Sequence, residues 1–151
     1  MASKKIPAGY RTVTPFLMVR GAEDLGRFVE KAFGAKIESI VRDADGRAMH
    51  VEATIGDSRI MIGEATEGPP LAAALHLYVE DADKLHRQAV QAGATSVMDP
   101  EDQFWGDHMG GVRDRFGNVW FVSTHVEDVS EEEMQRRMQA RHSRGEHVPA
   151  P

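Results

Sequence analysis

One strand-to-helix pattern occurs twice in this chain, about sixty residues apart, and it constrains the fold more than any other feature. Val19-Arg-Gly-Ala-Glu-Asp-Leu25 is answered by Val79-Glu-Asp-Ala-Asp-Lys-Leu85, and Phe33-Gly-Ala35 by Ala92-Gly-Ala94. In the first unit, Leu25, Phe28, Val29, Ala32 and Phe33 recur with the spacing of one apolar helical face. Gly34 then ends the helix, because glycine takes the left-handed conformation without penalty. A strand over 12–20 precedes this helix. Strands over 36–42, 48–55 and 58–64 follow it, with turns at Asp45-Gly46 and Gly56-Asp57.

The second unit repeats the order. A strand over 74–80 leads to a helix over 82–92 capped by Asp81, and strands near 95–98, 110–113 and 118–124 follow. The reading is therefore α+β, with two tandem βαβββ modules over about 12–65 and 74–125 forming a curved sheet with helices on one side. Ser130 and Glu133 make a capping box for a C-terminal helix over about 130–141. Met134 and Met138 on that helix offer contacts to the body or to a partner chain. Residues 1–11 read as a flexible arm, 12–142 as a single domain, and 143–151 as a disordered tail.

Side chains alternate across strands, so each strand divides into two lists. Leu17, Val19, Val51, Ala53, Ile60, Ile62, Leu75, Leu77, Trp120 and Val122 form an apolar face that belongs under the helices. Thr14, Phe16, Met18, His50, Glu52, Arg59, Met61, Ala74, His76, Tyr78, Phe121, Ser123 and His125 form a mixed face of aromatic, methionine and ionisable groups. Small-molecule pockets have that composition, apolar with a few placed polar groups. The alternative is a wet face with its aromatics at a dimer contact.

A net charge of −6 argues against nucleic acid as a partner. The basic cluster Arg136, Arg137 and Arg141 has a plainer role at the negative end of the last helix. No apolar run is long enough to cross a bilayer, the start does not read as a secretory signal, and there is no cysteine. A cytoplasmic protein without a membrane partner is the expectation.

Several segments resemble one superfamily: residues 46–62 (GRAMHVEATIGDSRIMI), 75–81 (LHLYVED), 102–107 (DQFWGD), 113–120 (RDRFGNVW) and 124–138 (THVEDVSEEEMQRRM). Together with the paired modules they resemble the vicinal oxygen chelate superfamily, which contains glyoxalase I, extradiol dioxygenases and bleomycin-resistance proteins, and within it the PhnB-like branch. The resemblance implies a U-shaped mixed sheet with helices on the convex side, and a homodimer. Enzymes of the superfamily hold a divalent metal with one side chain from each of four strands. The resemblance puts those positions at or near Thr14, Met61, Ala74 and Phe121, three of them apolar. No cofactor is expected there.

His50, Glu52 and His76 remain as candidate catalytic residues. They could act as an acid-base set, hold a displaced divalent metal, or serve as a structural clamp. Phe16, Met18, Arg59, Met61, Tyr78, Trp105, His108 and Phe121 are candidate ligand contacts, with Gln103–His108 read as a loop able to fold over the cup. Arg59 could instead make an exposed salt bridge, and Phe104 and Trp105 could instead close the core. His86, His142 and His147 read as surface histidines. Two functions stay open: a module that sequesters a planar or aromatic compound, as bleomycin-resistance proteins do, and a lyase, isomerase or oxygenase using His50, Glu52 and His76 with or without metal.

Overall fold

A computed structural model describes residues 2–146; His147 and the rest of 147–151 lie outside the described residues. The first module runs β1 (Phe16–Val19), α1 (Ala22–Phe33), β2 (Lys36–Arg42), β3 (Ala48–Ile55) and β4 (Ser58–Glu64). The second runs β5 (Ala74–Tyr78), α2 (Ala82–Gln91), β6 (Thr95–Asp102), β7 (Asp107–Arg113) and β8 (Val119–His125), and α3 (Glu131–Ser143) follows. Each module makes one mixed four-stranded sheet, ordered β1-β4-β3-β2 and β5-β8-β7-β6. β1 pairs with β4 and β5 with β8 in parallel, and the other pairs are antiparallel. The fold is α+β with two βαβββ modules and a C-terminal helix, as the duplication predicts.

Local chemistry sets the helix ends. Gly34 has φ of 67°, and the Ala35 N–H donates to the Val29 carbonyl, closing α1. The start of α1 carries no side-chain cap of its own. Instead the Glu64 carboxylate at the end of β4 accepts from the Gly21 and Ala22 N–H groups at 2.9 and 2.8 Å. A negative group at the positive end of the helix dipole ties helix to sheet. Asp81 accepts from Lys84 N at the start of α2, and Ser130 accepts from Glu133 N at the start of α3.

Leu17, Val19, Val51, Ala53, Ile60, Ile62, Trp120 and Val122 are all at most 3% exposed, in one core with Leu25 and Val29 of α1 and Ala89 of α2. Packing of Phe33 on Trp120, with ring centres 5.0 Å apart, joins the modules through this core. Both apolar faces therefore turn to a shared helix layer, and both mixed faces turn away from it. Leu75 and Leu77 stay half-buried. They lie on the edge strand β5, beside a cleft of about 990 Å³ between β5 and the turn at Ile55–Ser58.

Three expectations are corrected. The first strand begins at Phe16 rather than Thr12, because Pro15 has no N–H to offer a ladder and only its carbonyl pairs, with Met61 N. β6 continues past Pro100 to Asp102 through a register shift between Met98 and Glu101, so Gln103–Gly106 is a hairpin turn and not a lid. His86 is buried, with Nε2 3.0 Å from Ser96 Oγ, and is not a surface histidine. The arm makes contacts near its end that the sequence did not show: Arg59 donates to the Ala8 carbonyl and covers the Tyr10 ring.

The Asp-x-x-Gly-Asn turn before β8 also has a structural explanation. Buried Asp114 accepts from the N–H groups of Phe116 and Asn118, from the Asn118 side-chain amide and from Trp120 Nε1. Asn118 Oδ1 then accepts from Ala73 N, pinning the entry to β5.

Candidate functional site

Sheet two carries the better-developed mixed face. On β5, His76 and Tyr78 point the same way, and their rings stack at 4.9 Å between centres and 27° between planes. Phe121 on β8 lies 6.1 Å from His76. Together these rings form an aromatic platform, and Tyr78 is 67% exposed on it. Under the platform, His76 Nε2 lies 2.7 Å from the Oγ of fully buried Ser123. Burial lowers the His76 pKa below its ordinary value, against a smaller upward pull from the Asp107 charge. His76 is therefore a neutral imidazole near physiological pH.

Asp107, 2% exposed, anchors this face. Its Oδ2 accepts from the Tyr78 hydroxyl and from Trp105 Nε1, each at 3.0 Å, and its Oδ1 lies 2.8 Å from His125 Nδ1. His125 is also 2.7 Å from Asp128, and hydrogen bonds to Asp128 and then Asp107 raise its pKa. Burial, followed by the bond to Asp107, raises that of Tyr78. One carboxylate thus fixes three side chains at the rim of the platform.

Sheet one presents a different surface. The Phe16 ring lies over Gly63, where an added Cβ would come within 2.8 Å of it, and is 6.0 Å from His50. His50 Nε2 and Glu52 Oε1 are 3.8 Å apart, and Ser39 Oγ donates to Glu52 at 3.2 Å. Met61 stands opposite Phe16 on one side and Glu52 on the other, and Met18 opposite Gly63. Arg59 reaches Glu38 at 3.7 Å and the arm.

The candidates thus fall into two groups. His50, Glu52, Phe16, Met18, Arg59 and Met61 lie on sheet one, while His76, Tyr78 and Phe121 lie on sheet two, with Trp105 at its edge. Strand parity assigns a side chain to a face but says nothing about which sheets share a hollow. His108 joins neither group. It pairs with Thr124 on the helix side of β7, with Nδ1 2.7 Å from Asp102 and Nε2 3.1 Å from Asp83 of α2. The resemblance-based metal positions do not fit an ion: Thr14 Oγ1 donates to the Arg11 carbonyl, and Met61, Ala74 and Phe121 are apolar. Among the described residues no group of three or more His, Cys, Asp or Glu is arranged to hold a metal.

Hydrogen bonds to Asp83 and then Asp102 raise the His108 pKa, which sets a pH dependence. The imidazolium's contribution is fully present below the unfolded value near ~6.5 and is lost as pH rises through the higher folded pKa. Melting curves from about pH 6 to about pH 9 should show a fall of at most a few degrees that His108→Gln reduces, the remainder coming from His125, whose pKa is raised in the same sense. An unchanged slope in the variant would assign the effect elsewhere.

The model of the Glyoxalase/Bleomycin resistance protein/Dioxygenase superfamily matches residues 12–122. The chain belongs to this superfamily. An uncharacterized protein of Mycobacterium bovis is 32% identical over 140 residues, covering 83% of this chain and 91% of the relative. Among solved structures, TioX from Micromonospora sp. ML1 superposes with a TM-score of 0.63 at 20% identity, covering 76% of this chain and 99% of TioX. A PhnB protein from Bacillus cereus superposes with a TM-score of 0.58 at 19% identity, over 76% of this chain and 99% of its own. These likenesses carry the fold of the superfamily, PhnB-like members included. Among the described residues, no helix is long and apolar enough to cross a membrane.

The sequence reading placed Ser123 on the mixed face but missed Asp107 and Tyr10. A signal for Asp107 existed. With β7 starting at Asp107, its parity with Met109 and Gly111 puts it on the Phe121 face, opposite His125.

Proposed function

We propose that this superfamily member is a cytoplasmic small-molecule-binding protein that seats a planar aromatic compound on the His76–Tyr78–Phe121 platform. The carrying observation is that these rings present an open apolar surface while their polar atoms are held from beneath by Ser123 and Asp107. A flat ligand would gain stacking area without reorganising its seat. We further propose that a homodimer closes the cup, sheet one of one copy facing sheet two of the other. The open edge of β5 and the outward turn of both mixed faces support that reading.

The test uses 2-naphthoate as a probe, followed by calorimetry and by sedimentation. Binding should accompany a dimer, and His76→Ala and Tyr78→Ala should each weaken it roughly tenfold. Equal affinity in both variants, or a monomer at binding concentrations, would sink the proposal.

One observation favours an enzyme as the second reading. His76 is held by buried Ser123 at 2.7 Å with its pKa lowered by burial, which keeps the imidazole in the unprotonated form that can accept a proton. A lyase, isomerase or oxygenase reading would then rest mainly on His76, with His50 and Glu52 reaching it only across a dimer. Recovery of a changed compound after incubation, lost in His76→Gln, would favour it over sequestration.

A further inference from the structure

The arm places an aromatic side chain on the mixed face of sheet one. The Arg59 guanidinium stands 5.0 Å from the Tyr10 ring centre, and Arg59 Nη1 donates to the Ala8 carbonyl at 3.3 Å. Arg59 is itself steadied by Glu38 of β2. Gly9 lies between the two contacts with φ of 83°, and a Cβ there would come within 2.8 Å of the guanidinium carbon. An added Cβ would have to push the guanidinium aside, and the positive φ itself favours glycine there.

The Tyr10 hydroxyl is held near Glu52 but is not satisfied. Burial, and then an interaction of hydrogen-bond type with Glu52, push its pKa up to about 12, so it stays protonated. Yet that contact falls short of good hydrogen-bond geometry, which leaves the hydroxyl buried without a well-formed partner among the described residues, as is Arg59 Nε. Two polar atoms without well-formed partners in one small seat are a poor end state for an anchor. They mark a seat whose chemistry is only partly met by the group now in it.

We propose that Arg59 and Glu52 form a subsite for a phenol, and that Tyr10 occupies it as a displaceable internal competitor. This rests on the mixed faces being a ligand site, and it adds the ligand's chemical class. The guanidinium takes the flat ring, and the Glu52 carboxylate accepts from the hydroxyl in a charge-assisted bond that Tyr10 makes only in poor geometry. A free phenol can move to make that bond, whereas Tyr10 is tethered by Ala8 and Gly9. Once the arm leaves, Arg59 loses the Ala8 carbonyl, so a carbonyl or carboxylate on the same ligand would be favoured.

Calorimetric titration with 4-methylphenol, and with toluene as the ring lacking the hydroxyl, tests this. Tyr10→Ala should bind 4-methylphenol roughly tenfold more tightly than the unaltered chain and prefer it to toluene by about as much. Tyr10→Phe, which keeps a ring under Arg59, should retain the weak affinity of the unaltered chain. Adding Glu52→Gln to Tyr10→Ala should reduce the preference over toluene to about twofold or less. Circular dichroism checks that each variant is folded. A folded Tyr10→Ala chain that binds 4-methylphenol no more tightly, or does not distinguish it from toluene, would overturn the subsite. Because 2-naphthoate reads the His76 platform on the other sheet, a failure here with intact 2-naphthoate binding removes the subsite alone.

Discussion

Replacing Gly106 with alanine is expected to cost about 3 to 4 kcal/mol of stability and roughly 10 °C in Tm, more than a typical point substitution. The backbone there has φ of 103°, which disfavours any residue with a Cβ. The larger problem is space: an added Cβ would run into the Glu127 carbonyl oxygen. That obstacle is main chain and cannot rotate aside, because the Val126 and Glu127 N–H groups both donate to the Gly106 carbonyl. The strain would also reach α3, since the Arg137 guanidinium binds both Glu127 and the Phe104 carbonyl. Gly46→Ala separates the two causes. Gly46 has φ of 84° but open space around its Cβ position, so it should lose only about 1 to 2 kcal/mol. Equal losses in the two variants, measured by urea denaturation, would refute the steric account.

The contrast between Gly106 and Gly46 also shows where sequence reading succeeds. Asp45-Gly46 announces its turn locally, because a residue with positive φ between two β-favouring runs permits little else. Helix faces and strand parity are local in the same sense, so Leu17, Val51 and Trp120 could be assigned to the core from spacing alone. Gly106 sits equally plainly in the Phe-Trp-Gly-Asp segment, but its partner at Glu127 is distant in sequence. The sequence pattern marks the sixth strand only near 95–98, whereas a register shift lets β6 continue past Pro100 to Asp102. That hid the start of β7 and, with it, the parity of Asp107 and His108.

The arm and the division of the site failed to show for another reason. Tyr10 and Arg59 are far apart along the chain, and no periodicity links an aromatic in an irregular segment to a guanidinium in β4. His50 and His76 share a parity class, which is a property of strands, but belong to different sheets, which is a property of module packing. Two identical parity patterns are compatible with sheets joined edge to edge and with sheets packed through their helices. Only contacts such as Phe33 on Trp120 distinguish them.

Asp107 is where this hidden layer should have its largest functional effect. Asp107→Ala removes the acceptor of Tyr78 and Trp105 and the partner of His125. Tyr78 and His125 can turn to water, but half-buried Trp105 has less access, so a stability loss of about 2 to 3 kcal/mol is expected. Affinity for 2-naphthoate should fall more than tenfold, by roughly 1.4 kcal/mol or more, because the stacked pair loses the hydroxyl anchor beneath it. Asp107→Asn keeps the volume and one carbonyl oxygen, so it should fold nearly as well while changing the charge. The negative charge of Asp107 raises the pKa of both His76 and His125, so both should titrate lower in the amide variant. For His125 the fall should be partial, since its hydrogen bond to Asp128 raises the pKa more than the one to Asp107. For His76 it would extend the lowering that burial already imposes. Imidazole resonances followed by NMR through the acid-to-neutral range would read both shifts in one experiment. Unmoved titrations with unchanged 2-naphthoate affinity would reduce Asp107 to a fold element and leave the platform without its electrostatic support.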